Sequence, residues 1–170
     1  GFILAQLHAG PATICAGLLH DVLEDCEVPR EKMVEDFNEE ITVMVEGVTK
    51  IGNLKFKDEK EYLAANHRKI FIAMAKDVRV ILIKLVDRLH NMRTLQFHKP
   101  EKQKKIASET LEVYAPIAHR LGLSEIKNEL EDLCFQYIHR EDYYHIAKLV
   151  ENKKVERDAY VNEMIENISK

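Results

Sequence analysis

With 170 residues, 46% of them hydrophobic, and only 6 Gly and 4 Pro, the chain has material for one sizeable core and little sign of a flexible linker. Its net charge of −4 comes from 29 acidic and 25 basic residues mixed along the chain, so no direct nucleic-acid binding or attraction to an anionic membrane is expected, and any phosphate recognition must be local. Cys15, Cys26 and Cys134 are scattered without a Cys-x-x-Cys pair, which argues against a zinc-thiolate site or disulfide framework and suits a reducing cytoplasm; no apolar run approaches the roughly 20 residues that span a bilayer.

Phe2 to Leu7 read as the end of an amphipathic helix with no initiator Met before it, so the N-terminus is expected to be truncated. Gly10-Pro11 is a helix start, because Pro at the first helical position loses only an N–H that has no helical partner. The spacing of Ile14, Cys15, Leu18, Leu19, Val22 and Leu23 predicts one helix to about Asp25. A short helix is predicted from Pro29 to near Phe37. Asn38 should cap the next, with Glu39 and Glu40 in its first turn and a stop near Lys50.

Residues 51–57 lack a clear period, carry several lysines, and read as an exposed loop. Asp58 with Glu61 predicts a helix to about Ala75, and Asp77 caps another to about Leu95, the two meeting at Lys76. The second of these is apolar almost all round in its first half, as a central buried helix is. Pro100 opens a further helix that Pro116 should kink before Gly122 ends it. Ser124 should cap the next, and a final helix should run from Arg140 nearly to Lys170. Its later half, rich in Lys, Glu and Asn, is expected to pack against something beyond these residues.

The most informative grouping is His20-Asp21 followed by Glu24-Asp25. At 100° per residue His20 and Glu24 share one helical stripe and Asp21 and Asp25 the next, so all four can face one cleft. The bland reading is a satisfied His beside a solvated acidic turn. Against it, three carboxylates at a helix C-terminus oppose the helix dipole by roughly 0.3–1 kcal/mol each unless a cation compensates. Asp87 adds weight, since a carboxylate entering a largely buried helix needs a partner or a metal. Arg88 competes for that role, but adjacent helical residues diverge by about 100°, whereas Asn91 and Thr94 share the face of Asp87.

Imidazole and carboxylates without thiolate suit a divalent ion such as Mn²⁺, with Fe²⁺ or Zn²⁺ also compatible. Such an ion lowers the pKa of bound water and polarises a phosphoryl oxygen, while a nearby carboxylate moves the proton. That chemistry is phosphoester or pyrophosphate hydrolysis. His90 lies off the line of Asp87 and Asn91, so a supporting or structural role is favoured over direct ligation, and His67, His98, His119, His139 and His145 have no ligand-like spacing.

A His-Asp dyad with a distant Asp matches the HD superfamily. The runs Gly17 to Asp25, Val45 to Lys50, Asp77 to Leu95 and Tyr114 to Gly122 closely resemble the hydrolase domain of RelA/SpoT-type alarmone enzymes. The resemblance implies an all-α HD-domain helical bundle over residues 1–139, followed by helices over 140–170 leading toward a synthetase domain. It also implies Mn²⁺ held by His20, Asp21 and Asp87, with Glu24 and Asp25 at the catalytic step and Asn91 and Thr94 near the ribose and phosphates of (p)ppGpp. Members that retain only synthesis replace the His-Asp and Glu-Asp pairs, so their presence here resembles a hydrolysis-competent version. By this register the family's first metal-binding His and the basic segment beside the guanine base fall before Gly1, and His8 is an ordinary surface residue. The reaction implied is release of pyrophosphate from the 3′ position, with regulatory nucleotide sensing without turnover, or hydrolysis of another nucleotide, as the alternatives.

Overall fold

The computed structural model describes residues 1–26, 28–52 and 76–168. Among the described residues the chain is all-α, without a strand. In chain order the helices are α1 (Phe2–Gln6), α2 (Pro11–Leu18), α3 (Val22–Asp25), α4 (Arg30–Phe37), α5 (Glu39–Gly52), α6 (Val78–Arg93), α7 (Pro100–Glu109), α8 (Ala115–Arg120), α9 (Ser124–Ile138) and α10 (Arg140–Ile168). The predicted helix from Asp58 to Ala75 and the loop beyond Gly52 lie outside the described residues.

The core is organised around α6. Val80, Ile81, Ile83, Leu85, Val86, Leu89 and Met92 are all buried, and α6 packs against α1, α2, α5 and α9. This agrees with the central buried helix expected from its near-continuous apolar run. Asp77 fixes where α6 begins: its Oδ1 accepts from the Arg79 backbone N–H at 2.9 Å, supplying a partner to a donor that has none within the helix. The Arg79 guanidinium then reaches both Asp77 and Glu40 of α5, tying the start of α6 to its neighbour.

Asn38 caps α5 as expected, its Oδ1 accepting from Ile41 N–H at 3.1 Å. Helix α5 runs on to Gly52 rather than stopping near Lys50, so the first two residues of the anticipated loop are helical. Gly47 allows α5 close to α6, since a Cβ there would lie 2.9 Å from Val80 Cγ2. Ser124 opens α9 as its first residue and makes no side-chain cap bond, the boundary residue being Leu123. The expected Ser124 cap is therefore corrected.

Pro116 does disturb its helix, but without a sharp break. Residues Thr110–Tyr114 form a π-helical turn between α7 and α8. Proline supplies no N–H to the carbonyl four residues back and crowds it, and one wider turn absorbs that conflict while the helical path continues. Gly122, with φ +73°, then closes the segment in the left-handed region that favours glycine. Helix α10 contacts α9 and carries exposed Tyr144, Ile146, Leu149, Val150, Tyr160, Val161, Met164 and Ile165.

Candidate metal centre

One prediction fails in an instructive way. The chain from Pro11 to Asp25 is two helices with a turn at residues 19–21, not one. In a continuing α-helix the Gly17 carbonyl would accept from the Asp21 N–H; instead it faces His20 Nδ1 at 3.1 Å. Because a carbonyl only accepts, Nδ1 is the donor, and the imidazole takes the place of the backbone N–H. The helix stops where the histidine folds back.

Two inferences drawn from a continuous helix fall with it. His20 and Glu24 do not share a stripe at 100° per residue. Asp21 is the N-cap residue of α3, a position where a carboxylate is electrostatically favoured rather than opposed. At Asp21 the helix dipole therefore calls for no compensating cation.

The convergence itself stands on distances. His20 Nε2 lies 3.0 Å from Asp21 Oδ2 and 3.5 Å from Asp87 Oδ1, so the α2–α3 turn and the middle of α6 each bring a carboxylate up to one imidazole. Gly17 contributes to that approach: a Cβ there would lie 2.3 Å from Leu4 Cδ1, so glycine lets α2 seat closely on α1. The His20 and Asp87 side chains are 21% and 17% exposed, whereas Asp21 is 58% exposed. The site is enclosed on the α6 side and open at Asp21.

Asp87 is heavily engaged. Its Oδ1 accepts from Asn91 Nδ2 at 3.1 Å, and its Oδ2 accepts from Lys84 Nζ at 3.0 Å. Burial acts to raise its pKa, but hydrogen bonds from His20 and Lys84 outweigh burial and hold the carboxyl well below the usual carboxylate range. The His20 pKa is raised, chiefly by its hydrogen bond with Asp87, against a lowering by burial and with further support from the Asp21 charge.

Sequence reasoning missed Lys84. It lies three residues before Asp87, where helical side chains share a face, so the signal was available. Arg88 indeed serves elsewhere: its guanidinium is 3.2 Å from Glu109 and sits 4.1 Å over the Tyr114 ring, linking α6 to α7 and the π turn.

The other anticipated residues are not gathered as closely. Glu24 and Asp25 lie in α3, one turn beyond the dyad, exposed. Asn91 touches Asp87, as its shared helical face implied. Thr94 is the C-cap of α6, its Oγ1 donating to the carbonyls of His90 and Asn91.

The donor set can be tested for fit to a divalent ion. With Nδ1 donating to Gly17, Nε2 faces two carboxylates, and it either carries a proton to them as imidazolium or offers its lone pair to a cation that takes that proton's place. Ligand atoms about 2.0–2.2 Å from one ion, at angles between square and tetrahedral, stand roughly 3–3.5 Å apart. The separations of 3.0 and 3.5 Å fall in that range. Among the described residues no group of three or more His, Cys, Asp or Glu is arranged so as to hold a metal ion, so binding one here requires these side chains to open around it.

Comparison with known proteins gives the family. The HD domain family matches residues 2–124, and the chain belongs to that family. Within it, the chain is similar over nearly its whole length to RelA/SpoT-type proteins. It is 47% identical over 167 residues to a guanosine-3′,5′-bis(diphosphate) 3′-pyrophosphohydrolase from Haemophilus influenzae, covering 98% of the chain and 24% of that protein. It is 51% identical over 159 residues to a GTP pyrophosphokinase from Streptomyces coelicolor, covering 94% and 18%, and 45% identical over 166 residues to the bifunctional (p)ppGpp synthase/hydrolase SpoT of Escherichia coli, covering 98% and 24%. The chain thus spans about a quarter or less of the length of these relatives. HD-domain hydrolases are metal-dependent. No helix among the described residues is long and apolar enough to cross a membrane.

Proposed function

We propose that this chain is the hydrolase region of a longer cytoplasmic protein and that it removes the 3′-pyrophosphate of (p)ppGpp, giving GDP from ppGpp and GTP from pppGpp, with Mn²⁺ as the working ion. The observation that carries this reading is the approach of His20 Nε2 to both Asp21 and Asp87, from two separate segments, within ligand–ligand distance. The names of the relatives supply the substrate class.

In this reading His20, Asp21 and Asp87 hold the metal. When bound, the ion supplies an activated water and polarises a phosphoryl oxygen. The chain's own residues do the rest. Gly17 orients His20 through Nδ1, so that Nε2 faces the site. Glu24 and Asp25, exposed on α3 beside the dyad, orient the attacking water and accept its proton. Asn91 steadies Asp87 and, with Thr94 at the end of α6, borders the ribose and phosphates. Residues 1–139 form the hydrolase unit, and residues 140–170 lead toward synthetase and regulatory domains of the same protein, which accounts for relatives that carry a GTP pyrophosphokinase name.

Glu24→Gln in the whole protein tests the assignment. Pyrophosphate release from ppGpp in the presence of Mn²⁺ should fall by roughly 10²–10⁴-fold, the usual worth of a positioned acid or base, while ppGpp binding survives. Absence of pyrophosphate release by the unsubstituted protein, assayed with Mn²⁺, counts decisively against the proposal.

A further inference from the structure

Lys84 is unexpected beside a cation site. Its side chain is 18% exposed and its ammonium stands 3.0 Å from Asp87 Oδ2. The residue also lines a small apolar recess with Ile81, Leu85, Tyr114 and Ile117. Tyr114 ends the π-helical turn and Ile117 belongs to α8, so that segment packs beside Lys84 and limits where its ammonium can go. A lysine so placed is fixed by packing as well as by charge.

The two oxygens of Asp87 consequently have different surroundings. Oδ2 is held by Lys84, whereas Oδ1 is the oxygen that faces His20 Nε2 and accepts from Asn91. We propose that Lys84 is a positioning residue: by occupying Oδ2 it leaves a divalent cation shared with His20 only the Oδ1 oxygen of Asp87, and so makes the centre selective for small ions that take one carboxylate oxygen. This inference rests on the metal reading given above and adds a determinant of ion choice.

The physical consequence is discrimination against Ca²⁺. Calcium binds at 2.3–2.6 Å with six to eight oxygens and commonly takes both oxygens of a carboxylate; Mn²⁺ accepts imidazole and fewer, closer ligands. Freeing Oδ2 should therefore help Ca²⁺ more than Mn²⁺. The charge of Lys84 repels both ions as equal divalent cations, so the ratio of their affinities separates its geometric effect from its electrostatic one.

The test uses the whole protein without nucleotide, with Mn²⁺ binding followed by the electron paramagnetic resonance of the free ion and Ca²⁺ added as competitor. The binding lost in Asp87→Ala, seen as free-ion signal regained, defines this site. For Lys84→Met the preference for Mn²⁺ over Ca²⁺ should narrow by roughly tenfold, the lower end of what an outer-shell partner is worth. Lys84→Arg, which keeps a cationic donor, should retain most of the preference. An unchanged ratio, with both affinities rising together, would reduce Lys84 to a charge and overturn the inference alone. No Mn²⁺ binding by the unsubstituted protein would sink the metal reading and this one with it. Should Lys84→Met fail to fold, the unsubstituted protein crystallised with Mn²⁺ decides: Asp87 bound through one oxygen with Lys84 on the other supports the inference, and Asp87 bound through both oxygens refutes it.

Discussion

His20 meets two demands through its two ring nitrogens. Nδ1 replaces a backbone donor at Gly17 and so ends α2, while Nε2 is aimed at Asp21 and Asp87. A substitution that keeps only one of these functions should separate them. His20→Asn retains a donor for the Gly17 carbonyl but lacks the imidazole ligand; thermal unfolding should show a folded protein, and Mn²⁺ binding should be lost. Retained Mn²⁺ affinity in that variant would speak against His20 as a ligand. The cysteines offer a second check at this scale. Burial pushes the Cys134 thiol up to about 12, whereas Cys26 is exposed. A thiol reagent near neutral pH should label Cys26 and spare Cys134 until the protein unfolds; labelling of Cys134 at the rate of Cys26 would contradict the burial described.

Helix α6 places Asp87, so what anchors its ends and flanks matters for the site. Asp77→Ala should cost about 1 kcal/mol, as loss of an N-cap side chain usually does, measured by denaturant unfolding. The Asp77 carboxyl is held below its ordinary value of 3.8, first by the Arg79 side chain. A depressed folded-state pKa contributes stability that is present above the unfolded value and lost as pH falls through the folded one. The stability advantage over Asp77→Asn, which keeps a cap acceptor but not the charge, should therefore hold above about pH 4 and fade below it; a difference independent of pH would contradict this. Arg88→Ala removes a cation that contacts both Glu109 and the Tyr114 ring and should lower the denaturant midpoint of unfolding.

These elements differ in how legible they were. The buried run of α6, the Asn38 and Asp77 caps and the Pro11 and Pro100 starts all depend on local periodicity or on one side chain bonding its own backbone, and sequence alone displays such features. The break after Leu18 depends on His20 outcompeting the Asp21 N–H for the Gly17 carbonyl, a choice between two nearly equivalent donors that periodicity does not report. The π turn was visible as a disturbance at Pro116, but its form was not, because a kink and a wider turn relieve the same clash.

At the scale of the whole molecule, the proposed centre is assembled by packing between distant segments. His20 and Asp21 come from the α2–α3 turn and Asp87 from α6, and the contacts of α2 with α5 and α6 hold the two together. The dyad and Asp87 were therefore legible as residue types, and as a constellation through family resemblance, while their actual separation required the fold. Lys84 sits in an otherwise apolar run, and its pairing with Asp87 is fixed by spacing on α6 together with the packing of Tyr114 and Ile117 beside it.

If His20, Asp21 and Asp87 share one divalent ion, anomalous scattering from crystals of the whole protein grown with Mn²⁺ locates it among them. A peak is expected within about 2.0–2.3 Å of His20 Nε2 and of one oxygen each from Asp21 and Asp87. A peak bound elsewhere with these three residues unligated, or no peak at saturating Mn²⁺, contradicts that sharing.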